Sequence, residues 1–244
     1  MSRWKASGIH LLLSALIAVG LLALMLSIWY PGPLFEAAGG DHLIFVLVAV
    51  DATLGPLITL IIFKAGKRGL KFDLAVIAML QLSALAYGMH TVYLARPVYL
   101  VFTKDRFDLV SAKDVDPEDL PKARLPEFEH LPLGRPRYIA AVPPEDREAR
   151  QKILWSSLQG KDLQMYPQYF VPYEQEIPSA LTRAQPVAVL VKRYPGTLEE
   201  YLRSSGRSQE SVKFLPLRGK QADGAVLLDA RTGVPLEIVL VDPW

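Results

Sequence analysis

Asp51 lies near the middle of an otherwise apolar run, about His42 to Phe63. An ionisable group at that depth in a membrane helix costs on the order of 3 kcal/mol, so it marks a functional position by default. Three roles are open to it. It can pin helices together through hydrogen bonds, recognise another membrane helix, or handle a proton or ion. Measured from the outer end, Asp51 is nine residues in, a depth of ~13 Å at ~1.5 Å per residue. On a later apolar run, Tyr87 lies eight residues in from Ala95, with His90 one turn away. These two are the expected hydrogen-bond partners of Asp51. Gly20 on the first run is level with both and would let helix backbones approach. Gly55-Pro56 follows one turn after Asp51. A proline there frees a backbone carbonyl and kinks the helix, and neighbours must satisfy the freed group. Thr53 and Thr59 can contribute. The kink is either a packing feature or a groove for a partner helix. One acid with no basic partner makes a poor transporter.

Other chemistry is sparse. The chain has four histidines: His10, His42 and His90 in or beside the apolar runs, and His130 beyond them. With no cysteine and one outer histidine, no usual zinc set is available. A Ser-His-Asp site would have to use His130, and there is no G-x-S-x-G elbow. There is also no phosphate loop and no dinucleotide fingerprint. The pairs Asp105/Asp108 and Glu127/Glu129 sit in polar segments and read as solvated surface. No enzyme and no cofactor is expected.

The elements that position these residues come in two sets. Three apolar runs, about Gly8 to Trp29, His42 to Phe63 and Asp73 to Ala95, precede residue 96. Each has roughly the 20 residues needed to cross a ~30 Å hydrocarbon core as a helix. Arg3 and Lys5 precede the first run, and Lys64, Lys67, Arg68 and Lys71 follow the second. The first connection, Tyr30 to Asp41, carries Glu36 and Asp41 and no Lys or Arg. Lys and Arg are retained on the cytoplasmic side of short loops. The N-terminus is therefore expected in the cytoplasm, and everything from Arg96 onward outside the inner membrane. The first run is too long for a signal-peptide core and lacks a small-x-small cleavage site, so it is expected to be retained. Trp29-Tyr30-Pro31-Gly32-Pro33 reads as an interfacial aromatic anchor and a rigid turn. The predicted fold is a membrane protein with a three-helix transmembrane region, 1–95, and a periplasmic α+β domain, 96–244, with a mainly antiparallel sheet.

The second set is soluble in character. Of 27 basic residues, 21 lie beyond residue 95, as do 21 of the 25 acids. A neutral domain lacks the basic footprint that nucleic acid requires. Without cysteine it must be held by its core. Val98–Phe102, Phe107–Ser111, Tyr138–Val142, Val187–Val191 and Val212–Leu217 read as strands. Pro117 to Pro136 reads as an extended loop. Glu145 to Leu158 reads as a helix with Ile153, Leu154 and Leu158 on one face. Gly196 to Ser205 reads as a helix with Thr197 at its N-cap and Glu200 completing a capping box. Ala225–Ala230 and Pro235–Val241 form a hairpin around Arg231-Thr232-Gly233. Tyr166 to Tyr173, with Tyr169 and Phe170, is either an exposed aromatic patch or core.

Several motifs carry a resemblance. Arg3-x-Lys5-Ala6 with Ile9-His10-Leu11 and Ser14-Ala15-Leu16, then Trp29-Tyr30-Pro31-Gly32-Pro33-Leu34-Phe35-Glu36-Ala37, then Val50-Asp51-Ala52-Thr53-Leu54-Gly55-Pro56-Leu57-Ile58-Thr59-Leu60 together cover most of the first 65 residues. They resemble the TfpX/TfpZ family of type IV pilin accessory proteins. Arg96-Pro97-Val98-Tyr99 and Asp105-Arg106-Phe107 extend the likeness. The resemblance implies a non-catalytic inner-membrane protein that aids or modulates assembly of one pilin type. Its partners would be that major pilin, the pilus assembly platform and the lipid bilayer. No catalytic residues are implied, and homo-oligomerisation is left open. Two alternatives compete. A membrane-anchored sensor or scaffold would need a second protein for output, since the cytoplasmic segments are about seven and nine residues long. A pilin-modifying enzyme would need a nucleotide-sugar site or more spans.

Overall fold

A computed structural model describes residues 2–40, 55–64 and 67–244. It divides into two compact units, residues 1–28 with 40–95, and residues 29–39 with 96–244.

The first unit is helical. α1, Arg3–Leu24, is capped by Ser2, whose hydroxyl accepts from Lys5 N–H at 3.3 Å. A π-turn, Met25–Trp29, continues it. α2, Leu34–Ala37, is a single turn that belongs to the second unit. Residues 55–62 are helical and are termed α3. α4, Leu70–Ala95, begins one turn before the apolar run does, and Asp73 in its first turn pairs with Lys67 at 2.6 Å. Among the described residues, two helices are long and apolar enough to cross a membrane: Arg3–Trp29 and Leu70–Ala95. Leu11, Leu12, Leu16, Ile17 and Val19 on α1, and Met79, Leu80 and Leu82 on α4, are exposed. A helix apolar on every side and left uncovered suits a hydrocarbon surrounding. Most of the second apolar run, 41–54, lies outside the described residues.

The second unit is built on one sheet. Its strands are β1 (Pro97–Thr103), β2 (Arg106–Ser111), β3 (Arg137–Ala141), β4 (Phe170–Pro172), β5 (Gln185–Pro186), β6 (Val212–Arg218), β7 (Gly224–Asp229) and β8 (Pro235–Val239). The order is β4-β3-β1-β2-β6-β7-β8, with β5 also on β6. Five ladders are antiparallel, β1–β2, β3–β4, β5–β6, β6–β7 and β7–β8. The two that flank the central hairpin, β1–β3 and β2–β6, are parallel. The sheet is therefore mixed. Parallel pairing needs a long crossover, and the chain supplies one from β1 to β3 through residues 104–136, which include β2, and another from β2 to β6 through 112–211.

Every residue of β1 is buried, as expected of a central strand covered on both faces. Leu100 and Phe102 join Phe107, Leu109, Leu215, Val226 and Tyr173 in one cluster. Tyr99 and Val101 join Val110, Phe128, Leu163 and Phe170 in another. Alternation along the strand thus feeds two separate clusters. Phe170 and Tyr173 are core residues, while Tyr169 is half-buried, so the core reading of that aromatic segment holds.

Three local expectations need correction. Val187–Val191 is not a strand: α7 spans Ala188–Arg193, after α5 (Arg147–Ser157) and α6 (Ile177–Arg183). Val187, Leu190, Val191 and Tyr194 recur at helical spacing and pack against α8, Pro195–Ser205. A short apolar run does not distinguish a strand from a buried helix. Thr197 is not an N-cap, because Pro195 already occupies the first helical position of α8 and Tyr194 precedes it. On the apolar face of α5, Ile153 is half-buried against the second of these clusters, while Leu154 and Leu158 are exposed. Asp108 is not solvated. It is 3% exposed and accepts from Thr103 Oγ1 at 2.7 Å and Arg106 Nε at 3.2 Å.

Candidate functional site

In the helical unit, α1, α3 and α4 are joined by a few polar contacts between apolar surfaces. Gly55 and Pro56 are buried. A Cβ at Gly55 would fall 1.9 Å from Gln81 Nε2 of α4, so the Gln81 amide sits directly on the glycine and would have to swing aside for any larger residue. Ser7 Oγ donates to the Pro56 carbonyl at 2.9 Å. His10 Nδ1 lies 2.7 Å from Thr59 Oγ1. Thr59 is therefore engaged with α1, while the carbonyl that Pro56 frees, four residues back, lies outside the described residues. Thr53 and Asp51 lie outside the described residues. Tyr87 and His90 are exposed on α4. Thr91 Oγ1 donates to the Tyr87 carbonyl at 3.0 Å. Among the described residues, nothing approaches within 4 Å of a Cβ placed on Gly20; the stretch around Asp51, expected level with it, lies outside them. Arg3, Lys5, Lys64, Lys67, Arg68 and Lys71 are all exposed.

Ser7, His10 and Gln81 were not singled out by sequence reasoning. A signal for them existed. Ser7 and His10 are polar residues one turn apart on α1, and they meet a carbonyl and a hydroxyl one turn apart on α3.

The Trp29–Gly39 segment is the unexpected part of the second unit. Trp29 Nε1 donates to the Leu133 carbonyl at 3.0 Å. Tyr30 is fully buried and meets Phe35 edge-on at 6.2 Å. Burial pushes its hydroxyl pKa well above the ordinary value, and the Arg96 charge opposes this only in part. Pro31, Gly32 (φ +57°) and Pro33 turn the chain into α2. Leu34 and Ala37 then enter the sheet's core cluster. The Ala37 carbonyl accepts from Lys220 N at 2.8 Å and Gln221 N at 3.0 Å. A Cβ on Gly219 would lie 2.9 Å from that carbonyl and 1.8 Å from Ala222 O. The expected turn is thus also a structural component of the sheet unit. It supplies apolar side chains and a hydrogen-bond acceptor to a part of the chain far away in sequence.

Elsewhere in this unit, Lys161 Nζ reaches Asp119 at 2.6 Å and Asp116 at 3.3 Å, over the Tyr166 ring at 4.9 Å. Burial raises the Asp119 carboxyl, but hydrogen bonds from Lys122 and Lys161 outweigh it and hold the pKa below the usual value. Arg137 pairs with Glu127, and His130 is exposed. Among the described residues, no group of three His, Cys, Asp or Glu side chains could hold a metal.

Comparison with known proteins gives these arrangements a family context. A family profile described as fimbrial assembly protein FimB matches residues 1–39, which span α1 and the Trp29–Gly39 segment. The chain is 35% identical over 248 residues to the fimbrial assembly protein of serogroup I from Dichelobacter nodosus, covering 94% of this chain and 92% of the relative. It is 33% identical over 238 residues to the serogroup E1 protein of that organism, with the same coverage. A fimbrial assembly protein of serogroups C1 and C2 is 42% identical over 122 residues, 49% of this chain and 92% of that relative. No solved structure matches. With similarity running through both units, this chain belongs to the family of fimbrial assembly proteins.

Proposed function

We propose that the chain is a non-catalytic accessory protein of type IV pilus assembly, of the TfpX/TfpZ kind, seated in the bacterial inner membrane. It acts by contact with its major pilin in the membrane and the periplasm, and works beside the assembly platform. The observation that carries this reading is the similarity to fimbrial assembly proteins along 94% of the chain.

Topology supports the same reading. Residues 29–39 and 96–244 fold as one unit, so they share one side of the bilayer. A chain that leaves at residue 39 and returns at 96 crosses an even number of times. α4 supplies one crossing, and the apolar run 42–63 supplies the other. The bias of Lys and Arg toward the N-terminal tail and the 64–71 segment assigns the shared side to the periplasm. Asp51, with Gly55, Pro56, Tyr87 and His90, is the proposed surface for the apolar stem of the pilin. Asp51→Asn should preserve function and Asp51→Leu abolish it if hydrogen bonding is the requirement.

The decisive experiment compares surface pili and total cell pilin with and without this chain. Normal pilin with few surface pili is the expected result. Unchanged piliation overturns the accessory role and brings a membrane-anchored sensor or scaffold forward.

A further inference from the structure

The least explained surface of the sheet unit is the outward side of α5. Leu154, Trp155 and Leu158 are 63, 67 and 74% exposed. Three large apolar side chains on one short helix form a patch of the kind that marks an interaction site. A groove of about 470 Å³ runs alongside, between α5 and the β1–β2 turn. Pro143, Ile153 and Leu163 give it an apolar lining, and Lys104, Arg106 and Arg150 are its cations.

The charges in this groove are not balanced. Arg106 is already committed to Asp108 at 3.2 Å. Asp162, the groove's carboxylate, accepts from Leu163 N–H at 2.7 Å. Lys104 and Arg150 have no ion-pair partner among the described residues. Lys104 also adopts φ +53° in the two-residue turn joining β1 to β2. Glycine, asparagine or aspartate usually fills such a position, and a left-handed lysine costs roughly 1–2 kcal/mol. Strain of this kind, held at the edge of a groove, points to a use for the side chain.

We propose that this groove receives an acidic segment bearing apolar side chains, on the exported part of the pilus subunit. The apolar ridge would cover the segment's hydrophobic residues, and Lys104 and Arg150 would meet its carboxylates. A peptide fits better than an anionic membrane. Lipid recognition takes about 4–8 clustered cations, whereas acids Asp146 and Glu148 interrupt the basic residues at the start of α5. The identity of the occupant rests on the assembly role proposed above; the charge and shape of the groove do not.

The test uses the full chain in cells, with a photocrosslinking amino acid at position 155 and an antibody to the major pilin. The expected result is a pilin adduct that falls about tenfold when Lys104→Glu and Arg150→Glu are combined, as reversal of contact charges should produce. Surface pili should fall with it. All three positions are exposed, and protease resistance of the sheet unit verifies that the variant folds. An adduct with lipid, with another protein or with nothing overturns the proposal, as does full piliation in the double variant. If the deletion strain lacks pili while the double variant keeps them, the groove assignment fails and the assembly role stands.

Discussion

Leu34→Ala should destabilise a sheet whose first strand begins more than sixty residues later. Leu34 is 4% exposed and sits among Leu100, Phe107, Leu215 and Val226. Truncating a buried leucine to alanine costs about 2–5 kcal/mol, through lost transfer energy plus the cavity left behind. α2 is a single turn, so the site can relax, and about 3 kcal/mol is a reasonable centre. If the segment leaves altogether, the Lys220 and Gln221 amides lose the Ala37 carbonyl, adding about 1 kcal/mol for each bond. For a unit of roughly 160 residues, 1 kcal/mol corresponds to about 2–4 °C in Tm. The expected fall is therefore about 6–12 °C, read by near-UV circular dichroism of the full chain in detergent. Leu133→Ala is the control, since Leu133 is 68% exposed and should change stability by less than about 0.5 kcal/mol. If Leu34→Ala matched this control, Trp29–Gly39 would be a surface linker and the reasoning would fail. If the fall is as large as expected, a fragment of residues 96–244 alone would lack part of its own core.

Two further outcomes follow from polar contacts. Asp229 accepts from Thr232 N–H, the Thr232 hydroxyl, Arg231 N–H and Arg207, and these hold its pKa far below the ordinary 3.8. A depressed folded-state pKa contributes stability above the unfolded value and loses it as pH falls below. Asp229→Asn should therefore cost about 1 kcal/mol near neutrality, like loss of a capping side chain. Its deficit should shrink progressively as pH falls below 3.8 in acid-unfolding curves, where protons bind the unfolded state first; a deficit that stays constant through that range would refute the electrostatic account. In the helical unit, Thr59→Val keeps the side chain's shape but removes the contact to His10 Nδ1. The expected loss is about 1 kcal/mol in detergent-induced unfolding, the usual size of a polar contact between membrane helices, and Thr59→Ser should restore it.

Much of the chain was legible residue by residue. The hairpin around Gly233 is there, with φ +71° at the glycine. The helix expected from Glu145 to Leu158 is present as α5, with Asp146 as its cap, the side chain accepting from Ala149 N–H at 2.7 Å. Strands β1, β2, β3 and β6 match their apolar runs within a residue or two. The misreadings share a cause. Leu190 and Val191 look the same in a strand and in a buried helix until the helix beside them is known. Asp108 looks solvated until Thr103 and Arg106 are seen to satisfy its oxygens. In the candidate membrane site, Gly55-Pro56 stood out at once, but its partners Ser7 and Gln81 come from other helices.

Apolar length, the one-sided placement of lysine and arginine, and turn chemistry are properties of neighbouring residues, so they can be read before any fold is known. Each depends on transfer free energy or on backbone dihedrals, and those act over a few positions. Whether Trp29–Gly39 is a linker or part of a core depends on a cavity that Leu100, Phe107, Leu215 and Val226 create together. The same holds for the parallel joins β1–β3 and β2–β6. The exposure of Leu154 and Leu158 on α5 is likewise a matter of which neighbours the fold did not bring to them. Burial is a relation between distant residues, and only the assembled sheet decides it.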